Sequence, residues 1–466
     1  MQQYCYYEET EIRKHNLPLT WRDEKVQTDL RDFLQQNWNQ RRYFYDDSDK
    51  ETKQQFLSFL NFGSIRTNEY VGTISFNGEQ VNIFPKVFIN KQEDNSLSHL
   101  LLNIVQWLDY CSKFDFPFVS VKGDLEGIDN FKELFITLFA KKLSYTLEKN
   151  LLYMYEERTD DLPAIKGRFD VSDFVSRKIP QGKYCSYKCD YSIFEYNNLL
   201  NRIVKYVCRK LINQTRPVNQ RIFRETILRM SDVDDVVCNA KDCDKIVLNR
   251  MQKNYFEILS LCKILLLNDY PGYKMDVQQS FCFLFPMPLM FECFVGGFLK
   301  SILEGKGTVE LQKNNQSLVN DIRYLGRTYG PAFRMRHDIV CTIGEDVFLM
   351  DTKYKKIQSF EELKDDEALW KMRLISNVSQ EDIYQVSMYA LKRNLKKAYI
   401  VYPLLRFEET EKDMPVLQEI FYTGEQSLDC FKVVEIILVR VPFVFEQDIS
   451  KTKESLKNVL MKIFDN

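Results

Sequence analysis

The sequence has little of several residue types that mark large protein classes. Its 466 residues include 3 His, 16 Gly and 13 Pro, which excludes a collagen-like rod and disfavours chemistry built on paired histidines. Its net charge of −2 lacks the basic excess of chains that bind nucleic acid over much of their surface. A local basic patch remains compatible with that balance.

Long apolar runs are also absent. The N-terminal stretch MQQYCYYEETEIRK has no apolar core of the kind that a secretory signal requires. The most hydrophobic segment, 282–299, is interrupted by two prolines and by Glu292. No segment therefore reaches the ~20 apolar residues of a membrane helix, and we expect a cytoplasmic protein with no membrane segment.

Several catalytic and nucleotide-binding motifs are missing as well. The sequence contains no GxxxxGK[ST], no GxSxG and no GxGxxG after a strand-like run. It thus lacks a recognisable phosphate-binding loop, the serine motif of α/β-hydrolases and the glycine motif of dinucleotide-binding folds. Carboxylate and lysine side chains are the remaining candidates for catalysis.

What the sequence does contain is typical of a globular protein. Hydrophobic residues make up 45%, charged residues 28% and aromatic residues 14%, which is enough for several cores, and the length suggests about three domains. The close cysteine pairs, Cys185–Cys189 and Cys238–Cys243, are spaced more widely than the CxxC knuckles of a zinc ribbon. Buried structural thiols are expected, and a zinc site is the alternative.

The composition divides the chain into three regions, 1–150, 151–275 and 276–466. In the first region, alternating runs on either side of Asn77-Gly78 predict a β-hairpin, and two helix-like segments follow. In the middle region, apolar residues recur at helical spacing, as in Leu199, Ile203, Val204 and Val207. That region is therefore expected to be mainly helical.

The third region, 276–466, has the pattern of a mixed sheet flanked by helices. A helix-like segment begins at Pro288, where proline suits the first turn. Strand-like runs at 338–343 and 346–351 flank Gly344-Glu345, and a helix near 380–393 precedes two further strands. The fold class expected for the whole chain is therefore α/β, in an α+β multidomain arrangement.

A candidate site lies in this third region. Of the five acid-x-Lys triplets in the chain, only Asp351-Thr352-Lys353 ends a strand-like run. Residues two apart share one face of a strand, so Asp351 and Lys353 are expected on the same side, with Asp338 near the same edge. Paired carboxylates and a lysine suit metal-assisted phosphodiester hydrolysis. The alternative is a surface cross-strand charge pair.

Two further features accompany the candidate site. Glu292 is the only charged residue between Pro288 and Lys300, and a carboxylate on an apolar helix face must be paired or metal-bound unless it faces solvent. Basic residues also cluster near the site: Lys353, Lys355, Lys356, Lys392, Arg393, Lys396 and Lys397. They are candidates for phosphate contacts, with a solvated helix face as the alternative for the second half of the cluster.

These residues resemble a known family. Arg336-His337-Asp338, Asp351-Thr352-Lys353-Tyr354-Lys355 and Tyr384-Gln385-x3-Tyr389 are similar to the PD-(D/E)xK nuclease core with the Gln-x3-Tyr element of RecB-like nucleases. The particular resemblance is to McrC, the nuclease subunit of McrBC-type modification-dependent restriction systems. Four more segments resemble that family in the same order along the chain: Tyr70–Val87, Lys166–Asp170, Glu195–Leu200 and Leu289–Glu292.

The resemblance implies an endodeoxyribonuclease that needs Mg²⁺, or Mn²⁺ in its place. Its catalytic residues would be Asp338, Asp351 and Lys353, supported by Glu292, Gln385 and Tyr389. The metal ligands would be Asp338, Asp351, Glu292 and Thr352. Where the family usually has proline, this chain has His337, which is either a neutral filler or an extra phosphate contact.

The resemblance also implies partners: double-stranded DNA that carries a modified base, and a McrB-like AAA+ GTPase hexamer that binds GTP. On this interpretation residues 1–150 dock the partner and stimulate its GTPase, residues 151–275 form the helical middle, and residues 276–466 form the nuclease domain. Two alternatives stay open, a non-cleaving activator of the partner and a stand-alone RecB-like DNA-processing nuclease.

Overall fold

The computed structural model describes most of the chain as regular structure. The described residues are 2–41, 53–88, 97–111, 131–149, 153–248, 252–267, 281–321, 323–324, 327–328, 330–355, 378–404, 416–422, 431–445 and 448–465. Within these ranges the protein is a mixed α/β structure. By its internal contacts it divides into two compact units, unit 1 (Met1–Phe131 with Gln278–Asn466) and unit 2 (Lys132–Val277).

The described strands are named in chain order. They are β1 (Gln2–Tyr7), β2 (Glu11–Ile12), β3 (Leu57–Phe59), β4 (Ile65–Thr67), β5 (Tyr70–Phe76), β6 (Glu79–Phe84), β7 (Met154–Leu162), β8 (Arg168–Phe169), β9 (Tyr187–Glu195), β10 (Phe281–Pro286), β11 (Thr308–Val319), β12 (Arg323–Tyr324), β13 (Arg327–Thr328), β14 (Ala332–Ile343), β15 (Asp346–Thr352), β16 (Lys397–Leu404), β17 (Val416–Tyr422) and β18 (Phe431–Pro442).

The described α-helices are named in the same way. They are α1 (Glu24–Arg41), α2 (Leu97–Tyr110), α3 (Phe131–Lys149), α4 (Val171–Asp173), α5 (Leu199–Leu211), α6 (Pro217–Arg229), α7 (Ala240–Cys243), α8 (Lys253–Leu267), α9 (Met287–Ile302), α10 (Gln380–Lys392) and α11 (Ile449–Asp465). Among these helices, none combines the length and apolar character that crossing a lipid bilayer requires.

A four-stranded sheet in unit 1 joins the N-terminal strands to β10. Its order is β1-β6-β5-β10. The turn between β5 and β6 is Asn77-Gly78, both with positive φ, as a two-residue hairpin requires. Strand β10 pairs antiparallel with β5 so closely that a Cβ on Gly72 would lie 2.0 Å from the Phe283 carbonyl oxygen. Only glycine fits at that position.

A six-stranded mixed sheet forms the second part of unit 1. Its order is β11-β14-β15-β16-β18-β17. Strands β14 and β15 form an antiparallel hairpin through Gly344, whereas β15, β16 and β18 run parallel. One face packs against α10, where Val386 and Ala390 join Leu349, Ile400 and Leu438 in a buried core. This packing lays α10 across β16 and β18, beside the end of β15.

An aromatic core underlies the same sheet. The Trp107 ring of α2 stacks on Phe443 at 4.3 Å, and its indole N–H donates to the Phe443 carbonyl oxygen at 2.8 Å. Phe291 and Tyr354 lie edge-on against Phe443. The aromatic richness of the sequence is therefore used in part to fill the space beneath the end of β15.

Unit 2 is built from a small sheet and a helical layer. The sheet has the order β7-β9-β8, and helices α5 to α8 pack on one another. Helix α5 has the apolar face that the sequence predicted, with Ile203, Val204 and Val207 all buried. Cys208, Cys243 and Cys262 are also buried in this unit, as expected for structural thiols.

Most of the elements expected from the sequence are present. The hairpin β5–β6, the helix at Pro288, the hairpin β14–β15 and helix α10 are confirmed. The middle region holds the three-stranded sheet β7-β9-β8 beside its helices. The first and third sequence regions lie largely in one compact unit. The division of the chain into a docking region, a middle region and a nuclease region stays a prediction.

Candidate active site

Two aspartates meet where β14 and β15 pair. Ile339 pairs with Met350, so Asp338 and Asp351 occupy the next position on adjacent strands. Cross-strand neighbours share a face, and this is the face that packs against α10. The backbone N–H and the hydroxyl of Thr352 both donate to Asp338 Oδ2, at 2.8 and 2.9 Å. Asp338 is thereby fixed to the end of β15.

Lys353 follows directly and bridges the strand and the helix. Its backbone N–H donates to the Val401 carbonyl oxygen at 2.9 Å, which prolongs the parallel pairing with β16. Its ammonium Nζ lies 2.8 Å from Asp351 Oδ2 and donates to Gln385 Oε1 at 3.1 Å. The two charged side chains of the predicted acid-x-Lys motif, Asp351 and Lys353, therefore contact each other.

Helix α10 supplies the remaining predicted residues. Gln385 Nε2 donates to the Tyr389 hydroxyl at 3.1 Å, as residues four apart on a helix face can do. Tyr389 packs edge-on against the His337 ring at a centroid distance of 4.6 Å. The structure thus brings the predicted residues together in two adjoining sets of contacts, Asp338 with Thr352, and Asp351 with Lys353, Gln385 and Tyr389.

The cluster includes one residue that the sequence reasoning missed, Asp382. Asp382 is buried and accepts from Lys355 Nζ at 2.6 Å, and it lies 3.9 Å from Lys353 Nζ. The local signal was Ser379-x2-Asp382, a capping box that starts α10. Since Asp382 precedes Gln385 by three residues, it faces the same side of the helix, which would have pointed to the site.

The electrostatics of the cluster follow from its burial. Burial, followed by the charge of Asp338, raises the pKa of Asp351 to about 7. Burial by itself would lower the pKa of Lys353, but the carboxylates of Asp351, Asp338 and Asp382 together outweigh it and the pKa is raised. Burial by itself would raise the pKa of Asp382, but the hydrogen bonds from Lys355 and Ser379 and the charges of Lys353 and Lys355 together outweigh it and lower the pKa. The charged side chains of the site lie close together, and an additional positive charge near Asp351 would stabilise its ionised form.

The residues present fit a divalent cation in part. Asp351 is 2% exposed, and its Oδ1 has no hydrogen-bond partner among the described residues. A buried carboxylate oxygen of this kind is costly unless a cation completes it. Within the described ranges, however, no group of three or more His, Cys, Asp or Glu side chains could hold a metal ion. Glu292, on α9, thus does not complete a three-carboxylate group, and its supporting role stays a prediction.

His337 is fully buried. Its Nε2 accepts a hydrogen bond from Arg393 Nε at 3.1 Å. Burial, with a further contribution from the Arg393 charge, lowers the pKa of His337 to about 4, so the ring is neutral at physiological pH. A buried neutral ring supports the interpretation of His337 as a filler over that of a phosphate contact.

The basic residues around the site differ in their surroundings. Lys353 and Lys355 face Asp382, and Arg393 holds His337. Lys392 is exposed and donates to Asn320 Oδ1 at 3.0 Å. Lys356 lies outside the described residues. Phosphate binding by this cluster stays a prediction.

The comparisons with known proteins bear on the family and the fold of the chain. A model of the McrBC 5-methylcytosine restriction system component matches residues 65–403, which is most of the chain and includes every predicted site residue. The chain belongs to this family. No match was found among the curated proteins.

Two structures from Thermococcus gammatolerans are among the solved structures that match this chain. A chain in the refined half-complex of the tetradecameric assembly of Thermococcus gammatolerans McrB AAA+ hexamers with bound McrC is 18% identical, with a TM-score of 0.59, over 98% of this chain and 100% of that chain. A chain in the Thermococcus gammatolerans McrBC complex is 19% identical, with a TM-score of 0.42, over 64% and 87% respectively. At this identity the first likeness shows a shared fold.

Proposed function

We propose that this protein is the Mg²⁺-dependent DNA endonuclease subunit of a McrBC-like, GTP-dependent restriction complex that cleaves modified, methylated foreign DNA. The observation that carries the proposal is the position of Asp338 and Asp351 next to the paired Ile339 and Met350 of β14 and β15, with the Lys353 ammonium 2.8 Å from Asp351. Family membership supports it. A cytoplasmic location is part of the same proposal, because the DNA to be cleaved lies there.

The roles of the residues follow from their contacts. Asp338 and Asp351 would hold the cation, with Thr352 fixing Asp338 and Glu292 as a supporting acid. Bound Mg²⁺, or Mn²⁺ in its place, would supply Lewis-acid polarisation of a phosphate oxygen. Lys353 would orient the attacking water or stabilise charge on the phosphate. Gln385 would hold the Lys353 ammonium, and Tyr389 would hold Gln385.

The architecture supports assignment to the PD-(D/E)xK group. A mixed sheet with the catalytic hairpin β14–β15, flanked by α10, is the arrangement that the resemblance implied for residues 276–466. We propose the same regional division as before: docking by residues 1–150, a mainly helical middle at 151–275 and the nuclease at 276–466. The sheet β7-β9-β8 belongs to that middle region.

The proposed partners are a McrB-like AAA+ GTPase hexamer and double-stranded DNA. The similar solved structure contains McrB AAA+ hexamers with bound McrC, and the sequence here has no GxxxxGK[ST] motif of its own. GTP would therefore bind to the partner. In that arrangement the partner reads the modified base and moves along the DNA, while this chain cuts.

The test is to combine this protein with the McrB-like GTPase encoded next to it in the genome and to supply methylated plasmid DNA. Cleavage is expected only when Mg²⁺, GTP and both proteins are present, and Asp351→Ala should abolish it while GTPase stimulation persists. Cleavage by this chain without partner or GTP would indicate a stand-alone nuclease. GTPase stimulation without any cleavage would indicate a non-cleaving activator. Cutting by the Asp351→Ala complex would overturn the site.

A further inference from the structure

A buried contact joins the N-terminal sheet to the residue after Lys353. Glu8 follows β1 and is 1% exposed. Its Oε1 accepts from the Tyr354 hydroxyl at 2.6 Å and from the backbone N–H of Lys86 at 2.7 Å. These three residues come from distant parts of the sequence, and the first bond spans 346 residues.

Several described side chains pack around Tyr354. Its ring packs against Phe291 and Phe443, with centroid distances of 6.1 and 6.0 Å. The Lys86 ammonium lies 4.7 Å above the ring centroid and pairs with Glu9 at 3.0 Å. The Tyr354 hydroxyl is thus held by the Glu8 carboxylate, and the Tyr354 ring is held by the Lys86 ammonium and two phenylalanine rings.

The position of Tyr354 in the chain gives this contact its consequence. Strand β15 ends at Thr352, so Lys353 stands where regular pairing stops. Its backbone N–H donates to the Val401 carbonyl oxygen and its carbonyl oxygen accepts from the Lys355 N–H at 2.8 Å, and the Tyr354 side chain anchors the residue that follows. Lys353 reaches towards α10 while Tyr354 reaches towards Glu8. Fixing Tyr354 therefore fixes the direction in which Lys353 leaves the strand.

We propose that Glu8 and Tyr354 are positioning residues for Lys353, so that the first strand of the chain completes the candidate active site at its far end. The proposal rests on the proposed nuclease function, because the position of Lys353 matters only if it acts there. It assigns a role to the segment around Glu8 that is separate from partner docking. Neither residue touches the reacting atoms, and both act through the backbone of Lys353.

The variants separate this role from general stability. Tyr354→Phe removes one oxygen and keeps the ring on Phe291 and Phe443. Glu8→Ala removes the acceptor, and Glu8→Gln restores an acceptor oxygen of the same reach. Tyr399→Phe is the matched control, since it removes a buried tyrosine hydroxyl that donates to the Ile463 carbonyl oxygen at 3.2 Å in the same sheet.

Two measurements are made on the full complex with its partner. The first is the single-turnover cleavage rate of methylated DNA at saturating Mg²⁺, with GTPase stimulation recorded alongside. The second is the rate at which acetic anhydride labels Lys353, followed by mass spectrometry, with the exposed Lys457 as the internal reference. The labelling reports the position of the lysine whether or not the protein cleaves DNA.

Tyr354→Phe and Glu8→Ala should each lower the cleavage rate by about 10- to 100-fold and speed Lys353 labelling, while GTPase stimulation and Lys457 labelling stay unchanged. Glu8→Gln should restore both cleavage and slow labelling, and Tyr399→Phe should behave as wild type. Wild-type values for Tyr354→Phe in both measurements would overturn the positioning role. If wild type does not cleave, the proposed function fails, and the labelling by itself then decides the positioning role.

Discussion

Two regions of this molecule bury a carboxylate and satisfy it in opposite ways. In unit 2, Glu133 is 6% exposed, and its Oε1 accepts from Thr215, from the backbone and side chain of Arg216 and from Asn219, at 2.7 to 3.3 Å. In the six-stranded sheet, Asp351 has one lysine, and its Oδ1 lacks a hydrogen-bond partner among the described residues.

We interpret the difference as that between a structural acid and one that is proposed to bind a cation. A buried charge that collects several donors joins segments of the chain and contributes to folding. A buried charge that is left incomplete beside a second carboxylate raises the free energy of the folded state until a cation binds. Removal of Glu133 should therefore lower stability, whereas removal of Asp351 should lower activity and leave stability unchanged or higher.

The largest effect is expected at Asp351. Asp351→Asn keeps the shape of the side chain but removes the charge that would hold the cation, so cleavage by the complex should fall by about 1,000-fold or more. The free energy of unfolding in the absence of Mg²⁺ should stay the same or rise. Asp346→Asn, at the exposed start of the same strand, is the control for both measurements. A variant that cleaves normally would place Asp351 with Glu133 as a structural acid.

The converse change is at Glu133. Glu133→Ala leaves the donors of Thr215, Arg216 and Asn219 without their acceptor, and it should lower the free energy of unfolding by about 3–5 kcal/mol in urea titrations of the full chain. The exposed i,i+4 pair of Arg221 and Glu225 provides a matched control, since Glu225→Ala should change stability by less than about 0.5 kcal/mol. Equal effects of the two substitutions would mean that the four donors add nothing.

Glu8 lies between these two extremes. It has two donors on Oε1, while its Oε2 has no hydrogen-bond partner in the described part of the chain. Burial, partly offset by the bonds from Tyr354 and Lys86, raises the pKa of Glu8 from 4.5 to about 7. Between those pH values the folded state holds the proton more tightly than the unfolded state, so stability is lost as the pH rises from about 4.5 to 7.

That loss should be about 3 kcal/mol, since one pKa unit corresponds to roughly 1.4 kcal/mol. Glu8→Gln cannot ionise and should therefore flatten this part of the curve, which unfolding titrations at pH 5 and pH 9 will show. The same pH slope in wild type and in Glu8→Gln would mean that other groups cause it.

The smallest effect is expected at Gln385. Gln385→Ala removes the oxygen that receives the Lys353 ammonium, and cleavage should fall by about 10- to 100-fold while Asp351 is left in place. Gln380→Ala, an exposed change at the start of the same helix, should leave the rate unaltered. Equal rates for the two variants in single-turnover assays would remove Gln385 from the site network.

The sequence by itself determined the local elements and most of the candidate site. Alternation placed Asp351 and Lys353 on one side of a strand, and helical spacing placed Gln385 one turn from Tyr389, because both periodicities are written within a few residues. The Asn77-Gly78 turn was equally local, since its positive φ angles favour those two residues.

Only the tertiary structure decided how distant segments meet. The pairing of β1 with β6, the insertion of β10 beside β5 and the bond from Tyr354 to Glu8 join parts of the chain far apart in sequence. Asp382 joined the site because α10 packs on the sheet with that face inwards. Such contacts depend on how the packed layers fit, for which no local periodicity exists, so the connection between the N-terminal strand and Lys353 became visible only in the folded chain.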